Sequence, residues 1–205
     1  MFKKILFATS ASPACDNAAK VSFDLAQKND AKLFTLHVLG VPSRGFSTTV
    51  TDLRTGEEET VDADYRDWVM EELNTTYAAQ LAEYEKTALE LAVGVPATEI
   101  LRFARKEGVD LIVMGANTRG DDPESARSRS IVGRTMEKVA RLAKCPVLIV
   151  NRPCTTCWKL FSNIVYCTDF SPAADNAFKF ARTTAEKIGA KLNIFHAFDM
   201  SRSKM

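Results

Sequence analysis

The sequence predicts an α/β fold: an open sheet of five parallel strands with helices on both faces, followed by a partial second copy of its opening β-α-β unit. Three observations predict it. Short apolar runs alternate with stretches whose apolar residues recur at helical spacing, the rhythm of doubly wound folds. Residues 109–114 are almost continuously apolar, as a central strand buried on both faces requires. Residues 2–39 align with residues 161–198 without a gap, and the identical pairs include Ile5/Ile164, Thr9/Thr168, Ser12-Pro13/Ser171-Pro172, Asp16-Asn17-Ala18/Asp175-Asn176-Ala177 and His37/His196. The repeated unit is a whole domain in scale, longer than the ~20–50 residues of a solenoid repeat.

Each copy opens on a short apolar strand, residues 5–9 and 164–168. A polar, Pro-containing loop follows, then a helix over 14–29 and 173–188. Ala18, Val21 and Leu25 mark the inward face of the first helix. Asp30 and Gly189 stand at the expected turns, and 32–39 and 191–198 read as second strands, parallel to the first through a right-handed crossover. Residues 46–53 and 58–61 flank Arg54-Thr55-Gly56-Glu57, which suits a small hairpin or, equally, a loop. Asp62 or Asp64 is placed to cap a long helix running to about residue 87, with Trp68, Leu73, Tyr77 and Leu81 as its apolar residues. A strand over 89–93, a Gly94-Val95-Pro96 turn, a helix over 97–107 and the strand at 109–114 come next. A polar loop at 116–130, a helix at 131–143 and a strand at 146–150 complete the first unit. The domains expected are a complete one at 1–151, a linker at 152–159 and a partial repeat at 160–205. The two strands and single helix of the partial repeat are expected to pack on the first domain or on a partner chain, since so small a piece seldom forms a core alone.

Composition narrows the function. The chain has 205 residues, 46% hydrophobic and 26% charged, which suits a globular protein and excludes disorder for its bulk. Lys and Arg total 27 against 26 Asp and Glu, a net charge of +1, so no basic excess exists for a nucleic-acid backbone. No apolar run reaches the ~18 residues of a membrane span. The run at 5–9 is shorter than the ~7–15 residues of a signal peptide. A cytoplasmic protein with reduced cysteines is expected, without nucleic-acid or membrane partners.

Four segments together resemble the universal stress protein family: the opening Lys4-Ile5-Leu6-Phe7-Ala8-Thr9, a second strand ending in His37-Val38, Asp110-Leu111-Ile112-Val113-Met114-Gly115, and the run from Val132-Gly133-Arg134-Thr135-Met136-Glu137 to Cys145-Pro146-Val147-Leu148-Ile149-Val150. Thr168-Asp169-Phe170-Ser171 shows the family's opening again in the second copy. The resemblance implies the sheet order 3-2-1-4-5, in a fold like that of adenine nucleotide alpha hydrolases. It also implies pairing of domains through their last strands, either within a tandem chain or between chains, with a homodimer expected here, and in many members ATP binding.

ATP-binding members carry Gly-x2-Gly-x9-Gly-Ser/Thr after the fourth strand, because glycines let the backbone approach phosphate and a helix N-terminus completes the anion site. Here the pattern is degenerate. Registered on Gly115, the second glycine is Thr118 and the gap to Gly133 is five residues too long. Registered on Gly120, the spacing to Gly133 is right but Pro123 takes the second position. Arg134 replaces the hydroxyl residue, with Thr135 next to it, and Ser10 stands where the family's opening acidic residue belongs. The second copy keeps that acid as Asp169, beside Thr168, and has no Gly-rich segment. The candidate nucleotide site is thus Ala8, Thr9, Ser10, Val38, Met114, Gly115, Gly120, Gly133, Arg134 and Thr135. Arg127, Arg129 and Arg134 could hold phosphate, or could simply form a solvated loop offset by Asp121, Asp122 and Glu124. No cofactor is fixed by the sequence; ATP or AMP is the ligand left open.

Cys154-Thr155-Thr156-Cys157 lies in the linker, away from the helix N-terminus a catalytic dithiol uses and short of the further ligands a zinc site needs. No Ser/His/Asp set or carboxylate pair has catalytic spacing. The sequence therefore reads as a non-enzymatic stress-response protein acting by dimerisation, with nucleotide sensing open. The alternatives are a weak ATP-hydrolysing or autophosphorylating domain and a thiol or metal sensor.

Overall fold

A computed structural model describes residues 1–40, 49–51, 58–116, 134–151 and 161–198. The chain forms two compact units, Met1–Cys154 and Thr155–Met205.

In the first unit the order is β1 (Lys4–Thr9), a 3-10 turn (Pro13–Cys15), α1 (Asp16–Asn29), β2 (Lys32–Gly40), β3 (Thr49–Thr51), β4 (Glu58–Thr60), α2 (Ala63–Thr76), α3 (Ala78–Glu83), β5 (Thr87–Gly94), α4 (Pro96–Glu107), β6 (Leu111–Gly115), α5 (Arg134–Leu142) and β7 (Val147–Val150). Five strands form one sheet in the order β5-β2-β1-β6-β7, all parallel. Counted along the chain this is the expected 3-2-1-4-5. β3 and β4 pair as an antiparallel hairpin, Val50 opposite Glu59.

The local chemistry is consistent with each element. Asp30 closes α1 in the left-handed conformation, its amide on the carbonyls of Ala26 and Gln27. α4 starts on Pro96, whose missing N–H is harmless in the first turn, and stops at Gly108, which adopts φ 65°. Alternate residues of β1 serve opposite faces. Leu6 and Ala8 join Phe34, Leu36 and Val38 of β2, Ile112 and Met114 of β6, Ile100, Leu101 and Ala104 of α4, and Met136 and Val139 of α5 in one core. On the other face Phe7 meets Tyr77 edge to face, with ring centroids 5.7 Å apart.

The segment after Asp62 differs from expectation. The long helix is broken at Tyr77 and ends at Glu83, and β5 begins at Thr87 and runs to Gly94. All eight residues of β5 pair with β2, from Leu33↔Thr87 to Gly40↔Gly94, so sheet pairing overrides the helical reading of the approach. Leu73 and Tyr77 face inward as expected, Leu81 is half-buried, and Trp68 alone of the expected apolar residues turns outward. Val69, Leu73 and Tyr77 are buried, whereas Trp68 is 45% exposed and stacks on Tyr65. Asp62 is the cap, its Oδ1 accepting the Tyr65 amide at 2.8 Å. Asp62→Ala is expected to cost about 1 kcal/mol, read as a lower urea midpoint at unchanged m-value.

The second unit is β8 (Asn163–Cys167), α6 (Pro172–Ile188) and β9 (Lys191–Phe195). Its two strands are parallel, Tyr166 opposite Ile194. β9 stops at Phe195 rather than residue 198, because β8, its only partner among the described residues, pairs no further than Cys167↔Phe195. Ser171 caps α6 through its hydroxyl on the Ala174 amide (3.2 Å), and Gly189 (φ 68°) ends it.

Candidate functional site

In a doubly wound sheet a ligand crevice opens outside the carboxyl ends of the strands, where the order reverses. Here that point lies between β1 and β6: from β1 the chain crosses to β2, and from β6 it crosses the other way to β7. The register sets Ala8 beside Met114, Thr9 beside His37, and Gly115 beside Val150. Ala8, Thr9, Val38, Met114 and Gly115 therefore gather at this end of the sheet, all buried. Of the other sequence-derived candidates, Ser10 is half-buried on the turn after β1, Arg134 is exposed as the first residue of α5, and Thr135 is half-buried next to it. Gly120, Gly133 and the Cys154/Cys157 pair lie outside the described residues.

The turn after β1 is held by its own polar groups. Ala11 adopts φ 55°, the left-handed region, and its amide donates to Thr9 Oγ1 at 2.9 Å. His37 Nδ1 lies 3.0 Å from the Thr9 carbonyl, which can only accept, so the ring donates there. The Ser10 and Ser12 hydroxyls are 3.0 Å apart, and Ser10 Oγ is 3.3 Å from Cys15 Sγ. Thr9 Oγ1 also bonds the Tyr77 hydroxyl at 2.6 Å, inside the protein. Burial pushes the Tyr77 phenol well up, so it stays protonated across the physiological range. Ser10 and Ser12, not Thr9, thus offer side-chain hydroxyls at this turn.

The second unit rebuilds the same turn. Phe170 has φ 60° and donates its amide to Thr168 Oγ1 at 3.0 Å, and His196 Nδ1 donates to the Thr168 carbonyl at 2.7 Å. Asp169 takes the place of Ser10. Its carboxylate accepts from the Ser171 amide at 2.9 Å, and hydrogen bonds from the Ser171 side chain and amide hold its pKa below the usual carboxylate range. Its contribution to the turn is present above the ordinary carboxylate pKa and is lost as pH falls through the lowered one.

Sequence reasoning missed Tyr77 and His37 as parts of the site. Tyr77 looked like one more apolar position on a helix, and nothing in a single sequence pairs it with Thr9. The duplicated His37/His196 pair was the one available signal, because both turns use it identically. Cys15, Cys145 and Cys167 are free thiols, and burial with Asp110 nearby pushes the Cys145 thiol up. Among the described residues no three His, Cys, Asp or Glu side chains are placed to hold a metal, and no helix is long and apolar enough to cross a membrane.

A five-stranded parallel sheet in the order 3-2-1-4-5, with its crevice at the first and fourth strands, defines a doubly wound α/β domain of the adenine nucleotide alpha hydrolase-like kind. The chain belongs to the universal stress protein family, whose model matches residues 1–151. Universal stress protein MJ0531 of Methanocaldococcus jannaschii is 30% identical over 163 residues, covering 75% of this chain and 84% of the relative. Universal stress protein YxiE of Bacillus subtilis is 32% identical over 154 residues, covering 74% and 100%. Among solved structures, MJ0577, also from Methanocaldococcus jannaschii, superposes with a TM-score of 0.55 at 26% identity, covering 74% of this chain and 97% of that one. A universal stress protein from Archaeoglobus fulgidus shares the fold over 97% of this chain and 68% of its own, with a TM-score of 0.64 at 20% identity.

Proposed function

We propose that this protein is a non-catalytic, cytoplasmic universal stress protein that acts as a homodimer and senses an adenine nucleotide, ATP or AMP, at the crevice between β1 and β6. The observation that carries the reading is the turn after β1. It stands at the switch point and is braced from below by Thr9 and His37, with the Ser10 and Ser12 hydroxyls left to meet a ligand. Arg134 and Thr135 at the start of α5 are the phosphate-side candidates, where arginine donors and the helix dipole both favour an anion. The family pattern is incomplete at Ser10 and through the Gly-rich segment, so binding is weak and hydrolysis absent. Dimerisation through β7 is supported by its place at one end of the sheet, paired only with β6 among the described residues. Residues 160–205 are a partial second repeat behind a linker at 152–159, supported by the gapless internal alignment and by the repeated turn.

Calorimetric titration of the purified chain with ATP and with AMP tests the reading, alongside analysis of co-purified nucleotide and sedimentation for the dimer. Dissociation constants of about 0.1–1 mM are expected, equivalent to about 4–5.5 kcal/mol. Heat no larger than that of dilution at millimolar nucleotide removes nucleotide sensing. Protein-dependent release of phosphate from ATP overturns the non-catalytic assignment.

A further inference from the structure

We propose that the Tyr77 hydroxyl is a latch that couples the α2–α3 segment to the turn after β1, so that a ligand seated on the turn is felt in those helices. The latch stands on geometry alone; only its ligand response rests on the nucleotide reading. Tyr77 occupies the junction of the two helices. Its amide donates to the Leu73 carbonyl (3.1 Å) and its carbonyl accepts from the Leu81 amide (2.9 Å). Its ring enters the core against Phe7 and leaves only 1% of the residue exposed. Its hydroxyl then meets Thr9 Oγ1 at 2.6 Å, and Thr9 Oγ1 receives the amide of Ala11. Ala11 carries a Cβ in the left-handed region, a conformation that persists where its surroundings hold it. A continuous path therefore runs from the helix junction through phenol, threonine hydroxyl and Ala11 amide to the Ser10–Ser12 pair.

The second unit supplies a control within the same chain. Its turn has the same φ and the same threonine and histidine bonds. Tyr166, which aligns with Phe7 and not with Tyr77, donates to the Ala174 carbonyl at 2.8 Å. Thr168 forms the turn with no tyrosine hydroxyl on it among the described residues. The turn thus takes its shape without a phenol, and a phenol on the threonine hydroxyl adds only resistance to its opening. What Tyr77 adds is the connection to the helices. Because both hydroxyls are buried, separating them leaves polar groups unmet, and a shift of the turn carries the phenol with it.

Hydrogen exchange on the full chain, with and without millimolar ATP, tests this. Tyr77→Phe keeps the ring, and Thr9→Val keeps the side-chain shape. In the absence of ligand each variant is expected to speed exchange of the Ala11 amide about fivefold, with the double variant no faster than Thr9→Val alone. In the unmodified protein ATP is expected to slow exchange in both 9–12 and 73–83, and in Tyr77→Phe only in 9–12. Unchanged Ala11 exchange in Tyr77→Phe, additive effects in the double variant, or ligand protection of 73–83 that survives Tyr77→Phe overturns the latch. If ATP protects neither segment in the unmodified protein, the nucleotide reading fails, while the ligand-free comparison still decides the latch.

Discussion

Replacing Phe7 with alanine is expected to destabilise the first unit by about 3–5 kcal/mol. Phe7 is fully buried in β1, the central strand of the sheet. Its partners are fixed on both sides: it is opposite Thr35 on β2 and Val113 on β6, and both are fully buried. Sheet neighbours held by backbone pairing cannot collapse into the space left, so the cavity persists and adds its cost to the lost transfer energy. The ring's edge contact with Tyr77 is lost as well. Since domains of this size are stable by only about 5–15 kcal/mol, the variant should lie near its unfolding threshold at 37 °C. Urea denaturation followed by circular dichroism measures it. A loss below about 1 kcal/mol would mean that the strand can repack, and that the sheet centre is not the rigid element described.

Ser10→Asp is expected to tighten adenine nucleotide binding about tenfold, or about 1.4 kcal/mol. The second unit shows what a carboxylate does at this position, since Asp169 accepts the Ser171 amide and is held in its ionised form. In the first unit, among the described residues, the Ser10 hydroxyl meets the Ser12 hydroxyl and Cys15. A carboxylate there gains the equivalent amide of Ser12 and leaves a lone pair for a ribose hydroxyl or an exocyclic amine. Charge-assisted hydrogen bonds are roughly twice as strong as neutral ones. The sign with pH follows: the gain is full while the new carboxylate is ionised, and because the matching Asp169 is held below the ordinary carboxylate range, the gain should persist through that range and be lost only as pH falls through the lowered pKa. Calorimetry with ATP and with AMP should show the same gain for both, because the added contact lies on the nucleoside side. An unchanged dissociation constant would mean that position 10 does not face the ligand.

Much of the architecture was legible from pattern alone. Strands β1, β2, β6 and β7 fall within a few residues of their expected places, because runs such as Leu111-Ile112-Val113-Met114 are buried on both faces and leave a local signature. The start of α4 was marked by the Gly94-Val95-Pro96 turn, since the restriction proline places on the backbone acts without reference to the rest of the chain. The stretch from Asp62 to Gly94 was read less well. Whether residues near Thr87 extend a helix or join a strand depends on the free edge of β2, a partner far away in sequence.

The candidate site divides along the same line. Positions at strand ends, such as Ala8, Met114 and Gly115, could be placed because the family resemblance implied the strand order, and the register brings them together. Ser10, and Asp169 in the second copy, could be singled out because duplication set two versions of one turn side by side. The order and spacing of the motifs thus carried the family, the resemblance to it implied the sheet order, and the internal alignment carried the repeat of the opening unit. The bond between Thr9 and Tyr77, the exposure of Trp68 in place of its neighbour Val69, and the histidine brace on the turn came only from the tertiary structure. The physical reason is that such contacts join residues distant in sequence through side-chain direction. Direction is set by how a helix rotates against its sheet, a quantity that amphipathic spacing constrains to about one residue and that packing alone resolves.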